Sequence, residues 1–499
     1  MKDIYQHIQN LLYYGRENDL FRQEDLIYVR NRVLSLLGLD EWEECHHTDP
    51  LPSLVEILTN LLDWAHDQGL LTSNTVTERD ILDTEIMNCL MPRPSEVIRQ
   101  FKNQYENHPE LATKFFYKIS TASNYIRLDR IAKNKEWQVT TPYGDIDITI
   151  NLSKPEKDPK EIAEMREAPS SSYPTCLLCI ENEGYKGTLR HPARATHRTI
   201  PIRLHDEEWR FQYSPYVYYK EHSIIFREEH TPMKMSRATF DRLLDFVDQF
   251  PHYFIGSNAD LPIVGGSILS HDHFQGGKYT FAVEKAEMVE TISLDAYPST
   301  RVGIVNWPMS VIRIQGGKED VANVAEHIYE SWKKYVDLEA NIVAYTGNTL
   351  HNTVTPIARR RGNLYEMDIV LRNNRTTEQY PDGIFHPHRD LHHIKKENIG
   401  LIEVMGLAVL PGRLATELEQ IADYLVKPIQ KEKWNKELLK HWEWYEDMCQ
   451  RLDRITKENV MVILKEEVGM KFQRVLEDAG VFKTTEEGKR AFTTFLNSL

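Results

Sequence analysis

Residues Gly265 to Gly277 read GGSILSHDHFQGG, and three of them could do chemistry together. His271, His273 and Gln275 stand at alternate positions, so on a β-strand they project from one face while Asp272 and Phe274 project from the other. Gly265, Gly266, Gly276 and Gly277 frame the row. Glycine lets backbone approach a ligand closely, and free backbone N–H groups can hold phosphate oxygens. Neutral imidazole is a competent nucleophile near pH 7, because its ordinary pKa is about 6.5. Against a phosphoanhydride it attacks phosphorus and forms a phosphoramidate, which splits one displacement into two. The labour would then divide: one histidine attacks, the other holds or is held by a metal, and the Gln275 amide donates to a phosphoryl oxygen. A pair of metal ligands is the other reading of the two histidines.

Cys176 and Cys179 form a C-x-x-C in YPTCLLCIENEG. A redox pair of that kind belongs at the start of a helix in a βαβ unit, which the surroundings do not show. Half of a tetrahedral zinc site fits better, with the missing ligands drawn from His230 in REEHTPM, His271, or His222 in KEHSIIF; two buried thiols are the alternative. LRHPARATHR carries Arg190, Arg194 and Arg198 four residues apart, which suits either a solvated helical face or guanidinium groups on a diphosphate. Asn258, Gly265, Gly266 and Ser267 are the remaining candidate substrate contacts. The HPH at His386 to His388 lacks both the glycine frame and the glutamine, and reads as a surface or sugar-site loop.

These residues need elements to hold them. Residues 1 to 135 read as helical: Asp49 can cap a helix with Leu54, Ile57, Leu58, Leu61, Leu62 and Ala65 on one stripe, and Gly69 can close it. Ser95 could cap PSEVIRQFKNQYEN, and this region shows packing or assembly surface without chemistry. The period then changes to two, with Ile146, Ile148, Ile150 and Leu152 alternating with polar residues. Residues 153 to 172 are charged and contain Pro and Ser, as an exposed connection would. From about 173 to 300 strands surround one helix capped by Ser236, and from 301 to 410 the order repeats loosely, with strand-like SVIRI, a helix from Asp320, and strand-like HNTVTPI and LYEMDIVL. The tail, 414 to 499, is helical again, and the aromatic stripe of WNKELLKHWEWYEDM reads as core or interface. The fold class expected is α+β: two β-rich halves of antiparallel sheet with packed helices, flanked by helical ends.

Composition excludes several roles. The chain has 499 residues, 41% of them apolar, and a net charge of −15, which argues against nucleic acid as a partner. No apolar run reaches the roughly 20 residues of a membrane span, and the charged start does not suit a signal peptide. Five cysteines make no disulfide framework, so a cytoplasmic location is expected.

Asp260 to Gly277, DLPIVGGSILSHDHFQGG, closely resembles the active-site signature of the second, bacterial class of galactose-1-phosphate uridylyltransferases, in the histidine-triad superfamily. EHSIIFREEHTPMKMS, HNTVTPIARRRGNLYEMDIVLRNN and IEVMGLAVLPGRL are similar to other segments of that class, and the likeness is strong from about 130 to 430. It implies two histidine-triad-like halves: a catalytic one over 136–300, and a second over 301–413 that keeps His351 without an intact row and so has no nucleophile. It makes His273 the residue that becomes uridylylated, Gln275 the partner of the transferring phosphoryl, and the backbone of His271 the support of His273. Cys176, Cys179, His230 and His271 would hold a structural zinc; no organic cofactor is implied. Asp272 departs from the other class, which has proline there. The activity implied is ping-pong exchange of UMP between UDP-glucose and galactose 1-phosphate, in a chain that could form a homodimer. A dinucleoside polyphosphate phosphorylase or hydrolase of the same superfamily, or a non-enzymatic zinc- and nucleotide-binding protein, are the alternatives.

Overall fold

A computed structural model describes residues 2–153 and 172–499, so the expected connection over 153–172 lies almost wholly outside the described residues. The strands, in chain order, are β1 Lys135–Thr141, β2 Gly144–Ile150, β3 Ile200–Leu204, β4 Glu207–Tyr213 and β5 Ser223–Arg227. They continue with β6 Phe254–Gly256, β7 His273–Gly277, β8 Met288–Ile292, β9 Arg301–Val305 and β10 Val311–Gly316. The last are β11 Tyr345–Thr346, β12 Thr349–Leu350, β13 Asn352–Arg361, β14 Leu364–Asn373 and β15 Leu407–Leu410. The chain divides into two compact units.

The first unit comprises Met1–Lys133, Ser153–Val217 and Glu221–His230. Helices cover its N-terminal part and bury Ile8, Leu11, Val33, Ile57, Leu61 and Ile86 together. The helix Leu54–Asp67 is capped by Ser53, whose Oγ accepts from Glu56 N at 3.3 Å, and not by Asp49. Pro50 and Pro52 cannot donate and bias their predecessors toward extended backbone, so the helix cannot begin until both are passed. Likewise Pro94 occupies the first position of the helix Pro94–Asn107, leaving Ser95 inside it and Arg93 at the cap. Strands β3, β4 and β5 form an antiparallel ladder in the same unit. Phe116 packs edge-on against Phe211 of β4, with ring centroids 5.6 Å apart.

The second unit comprises Asn134–Leu152, Tyr218–Lys220 and Thr231–Leu499. Its main sheet is antiparallel, in the order β7-β6-β13-β14-β10-β9-β8. The helix Arg237–Gln249 starts at Ser236, which makes a capping box with Thr239. The helix Lys318–Trp332 starts two residues before Asp320, on Gly317, and buries Val321, Val324, Ile328 and Trp332. The two helices pack on each other, and Arg237 Nη1 reaches Asn323 Oδ1 at 2.6 Å. A smaller sheet pairs β1 with β2 antiparallel and β2 with β15 parallel. It shares one core with the C-terminal helices, in which Trp434, Trp444 and Tyr445 are buried, so the aromatic stripe is core. The architecture is α+β: antiparallel sheet with packed helices and helical ends.

Four charged side chains lie inside the second unit's sheet. Arg313 of β10 stands across from Asp368 of β14, and Arg359 of β13 across from Glu366 of β14. Arg313 Nε donates to Asp368 Oδ1 at 2.6 Å, and Arg359 donates to Glu366 Oε1 at 2.5 Å and to Asp368 Oδ2 at 2.6 Å. Arg313 also donates to the carbonyls of Val283 and Ala286, both at 2.7 Å. Burial pushes the Asp368 carboxyl up, but Arg359 and Arg313 pull it further down, so it stays ionised below the usual carboxylate range. Removing one partner of such a group strands the others without water or counter-charge. Asp368→Ala is therefore expected to cost about 3–5 kcal/mol of stability, read from the midpoint of urea unfolding followed by tryptophan fluorescence.

Candidate active site

The sheet of the second unit delivers the histidine row, with one difference from the alternation read above. β7 begins at His273, so His271 and Asp272 precede the strand. Asp272 N donates to the carbonyl of Thr231 at 2.7 Å, and its carboxylate lies 3.7 Å from Arg242 Nη1. These anchors take the chain out of the ladder before His273. The carbonyl of His271 consequently faces the His273 ring and accepts a hydrogen bond from Nδ1 at 2.8 Å. With its proton on Nδ1, the imidazole keeps a lone pair on Nε2. Burial pushes the His273 imidazole down to about 4, against the upward pull of that hydrogen bond. The ring is thus neutral at physiological pH.

Gln275 stands across from Gly256 of β6, which stands across from Ile357 of β13, so the three share one face of the sheet. The loop between β6 and β7 is pinned at several points. Asp260 accepts from Met235 N at 2.8 Å and from Thr353 Oγ1 at 2.6 Å. Gly265 is hemmed in: a Cβ there would sit 2.5 Å from the Ala259 carbonyl oxygen. Asn258 is buried, its Oδ1 accepting from Leu401 N at 2.9 Å, while Ser267 is exposed.

In the first unit, Cys176, Cys179 and His230 come together with ligand atoms within 4.8 Å of one another. Cys179 Sγ lies 3.0 Å from His230 Nδ1 and 3.4 Å from Cys176 Sγ. Asn182 Nδ2 donates to the carbonyls of both cysteines at 2.8 Å, which fixes the turn. Burial, then the neighbouring Cys176, pushes the Cys179 thiol up to about 12. Two sulfurs and an imidazole nitrogen at this spacing are a donor set for zinc, whose charge would hold the thiolates deprotonated. His222 is not in this group.

The arginine run is not a helical face. Residues 188–194 form irregular loop with no helix, and the three arginines diverge. Arg198 is buried, donating to Asn88 Oδ1 at 3.0 Å and to the carbonyl of Pro92 at 3.1 Å, and is a structural tie. Arg190 and Arg194 line a cavity of about 380 Å³. Its other walls include Leu177, Asn124, Tyr125, Arg127, Arg130 and Asp80. The N-terminal helical region, read above as packing surface, therefore also lines this cavity. No spacing in the sequence marked those residues, because they come from a helix and a turn that meet only in three dimensions. In the HPH segment His386 is only 4% exposed, while His388 is half-buried and stacks on Tyr380. His351 in the second half has both ring nitrogens engaged, by Asn374 Oδ1 at 2.8 Å and Thr346 Oγ1 at 2.9 Å.

A neutral histidine with one nitrogen tied to backbone, heading a strand beside a glycine-lined loop, is an arrangement with the chemical capacity for covalent transfer. Comparison with known proteins narrows it. Residues 19–232 match the model of the galactose-1-phosphate uridyl transferase N-terminal domain, and residues 246–439 match that of the C-terminal domain. The chain belongs to the galactose-1-phosphate uridyl transferase family. It is 54% identical to a galactose-1-phosphate uridylyltransferase of Halalkalibacterium halodurans, over 99% of this chain and 98% of that one. It is 53% identical to those of Clostridium acetobutylicum and Bacillus subtilis, again over 99% of this chain, and over 100% and 98% of theirs. Among solved structures, a yeast Ap4A phosphorylase covers 66% of this chain and 91% of its own at 9% identity, with a TM-score of 0.33, too slight a likeness to argue from. Among the described residues no helix is long and apolar enough to cross a membrane.

The sulfur and imidazole donors carry a prediction. Freshly purified protein should contain about one zinc per chain, and Cys176→Ser or Cys179→Ser should lower both metal content and melting temperature. Active protein free of metal by elemental analysis would refute the assignment.

Proposed function

We propose that this chain exchanges UMP between hexose 1-phosphates, using UDP-glucose and galactose 1-phosphate, through a uridylyl-histidine at His273. The observation that carries the reading is the hydrogen bond from His273 Nδ1 to the carbonyl of His271, which presents a neutral ring with its Nε2 lone pair available. In the first step Nε2 attacks the α-phosphorus of UDP-glucose. A P–N bond forms, the bond from phosphorus to the bridging oxygen breaks, and glucose 1-phosphate leaves. In the second step a phosphate oxygen of galactose 1-phosphate attacks the same phosphorus, the P–N bond breaks, and UDP-galactose is released. One phosphoanhydride replaces another, so positioning and charge stabilisation supply most of the catalysis.

In this reading the Gln275 amide donates to the transferring phosphoryl, and Asn258, Gly265, Gly266 and Ser267 contact substrate near it. Arg190 and Arg194 are assigned to substrate phosphate. Cys176, Cys179 and His230, with His271 as fourth donor, hold a zinc that supports structure; four protein ligands leave no position open for chemistry.

Three experiments test this. His273→Ala should lower turnover by several orders of magnitude in folded protein, and His273→Gly should regain transfer when supplied with UMP-imidazole, which carries the preformed adduct into the space left by the ring. Wild-type protein mixed with UDP-glucose alone should label itself with UMP; release of free UMP without labelling would point to a hydrolase. Gln275→His should slow sugar-to-sugar transfer, by about 1–3 kcal/mol in barrier, and raise the ratio of free UMP to UDP-galactose, since a histidine can carry a proton that the amide cannot. An unchanged rate and ratio would leave Gln275 as packing.

A further inference from the structure

Leu401, more than a hundred residues away in sequence, packs on the face of the sheet that carries Gln275. Gly256, the cross-strand neighbour of Gln275, has no side chain, and a Cβ there would meet Leu401 Cδ1 at 2.7 Å. Leu401 fills that space, and its backbone N–H donates to Asn258 Oδ1 at 2.9 Å. With Oδ1 accepting that bond, the other end of the amide is set: Nδ2 lies against Gly266, 2.7 Å from where a Cβ would be. Asn258 is thus held between Leu401 and the glycine loop in one orientation.

The segment that holds it is itself braced by buried charges. Arg372 of β14 is fully buried, yet its hydrogen bonds go to the carbonyl of Ile399 at 2.8 Å and to Thr355 Oγ1 at 3.3 Å, with Nε left without a partner. An arginine is costly to bury without a carboxylate bonded to it, so a role that apolar packing could fill would not call for one. Lys395, 5% exposed, bonds Glu403 Oε1 at 2.9 Å, and Glu403 Oε2 accepts from Gly400 N at 3.2 Å. Two contacts, Arg372 on the Ile399 carbonyl and Glu403 on the Gly400 N–H, therefore fix residues 399 to 401, and through Leu401 N–H they fix the Asn258 amide.

We infer that Arg372 and Glu403 are positioning residues for uridylyl transfer, acting through the backbone of residues 399–401 to hold the Asn258 amide against Gly266. Neither needs to touch substrate. The inference rests on the function proposed above, in which Asn258 and Gly266 lie at the transferring phosphate.

A double-mutant cycle on the full chain tests it, with kcat for UDP-glucose and galactose 1-phosphate as the readout. Arg372→Met keeps the volume and removes the donor to Ile399. It should lower kcat about tenfold or more in the wild-type background, and less than about twofold in the Asn258→Ala background, because the amide it positions is already gone. Arg372→Lys, which keeps one donor, should recover part of the loss. An equal factor in both backgrounds would mean that Arg372 merely supports the fold, and would overturn the inference. If Arg372→Met does not fold, Glu403→Ala is taken through the same cycle, with the same two outcomes. Self-labelling of the parent protein with UMP reports separately on the proposed function, so failure of that reading and failure of the brace are distinguishable.

Discussion

The second unit depends on one set of opposite charges placed in register. Arg313 lies across from Asp368 and Arg359 across from Glu366, on three neighbouring strands, with all four side chains withdrawn from water. A slip of one residue in either ladder would turn a charged side chain to the opposite face and leave its partner buried and alone. Apolar residues tolerate such slips far better, since one methyl group replaces another at modest cost. The charges thus select one alignment of β10, β14 and β13. β13 passes it to β6, and β6 to β7, where His273 begins the strand. The placement of His273 is inherited from an ion cluster several strands away.

At the site itself, backbone does as much as side chains. The carbonyl of His271 selects the tautomer of His273, and the Leu401 N–H selects the orientation of Asn258. Glycines at 256, 265 and 266 make room for Leu401, for the carbonyls of Ala259 and Leu261, and for the Asn258 amide respectively. Each absent Cβ corresponds to a neighbour that has moved into its space. Such contacts preorganise donors and lone pairs before substrate arrives, which is where most of the barrier reduction in phosphoryl-type transfer originates.

The second half, 301–413, carries a histidine of its own in a different setting. His351 spends both ring nitrogens on Asn374 and Thr346, so it offers no lone pair to a phosphorus atom. That half contributes β13 and β14, the charge cluster, Arg372 and the 399–404 segment instead. Its work is to align and cover the strand that bears His273.

Much of this was legible in the order of residues. The alternation of His271, His273 and Gln275 between glycine pairs, the C-x-x-C, and the period change near residue 140 follow from local rules of spacing and conformation, and the family signature rests on the same short segments. The helices over 54–67 and 237–249 followed from apolar stripes, although the first cap fell at Ser53 because two prolines delay the helix. What lay beyond reach was every relation set by distant packing. Arg190, Arg194 and Arg198 look alike in sequence, yet one is a buried tie and two line a cavity whose far wall comes from the N-terminal helices. His386 of the HPH segment, which reads as surface or sugar-site loop, is buried. Arg372, Glu403 and Leu401 carry no motif, and their connection to Asn258 exists only once β6, β13 and β14 are paired and the 395–404 segment lies over them. The sequence by itself determined which groups can do the chemistry, because reactivity belongs to side-chain type and close spacing. Tertiary structure alone decided which of them are aimed, neutral and held still, because those properties depend on partners that folding brings from far along the chain.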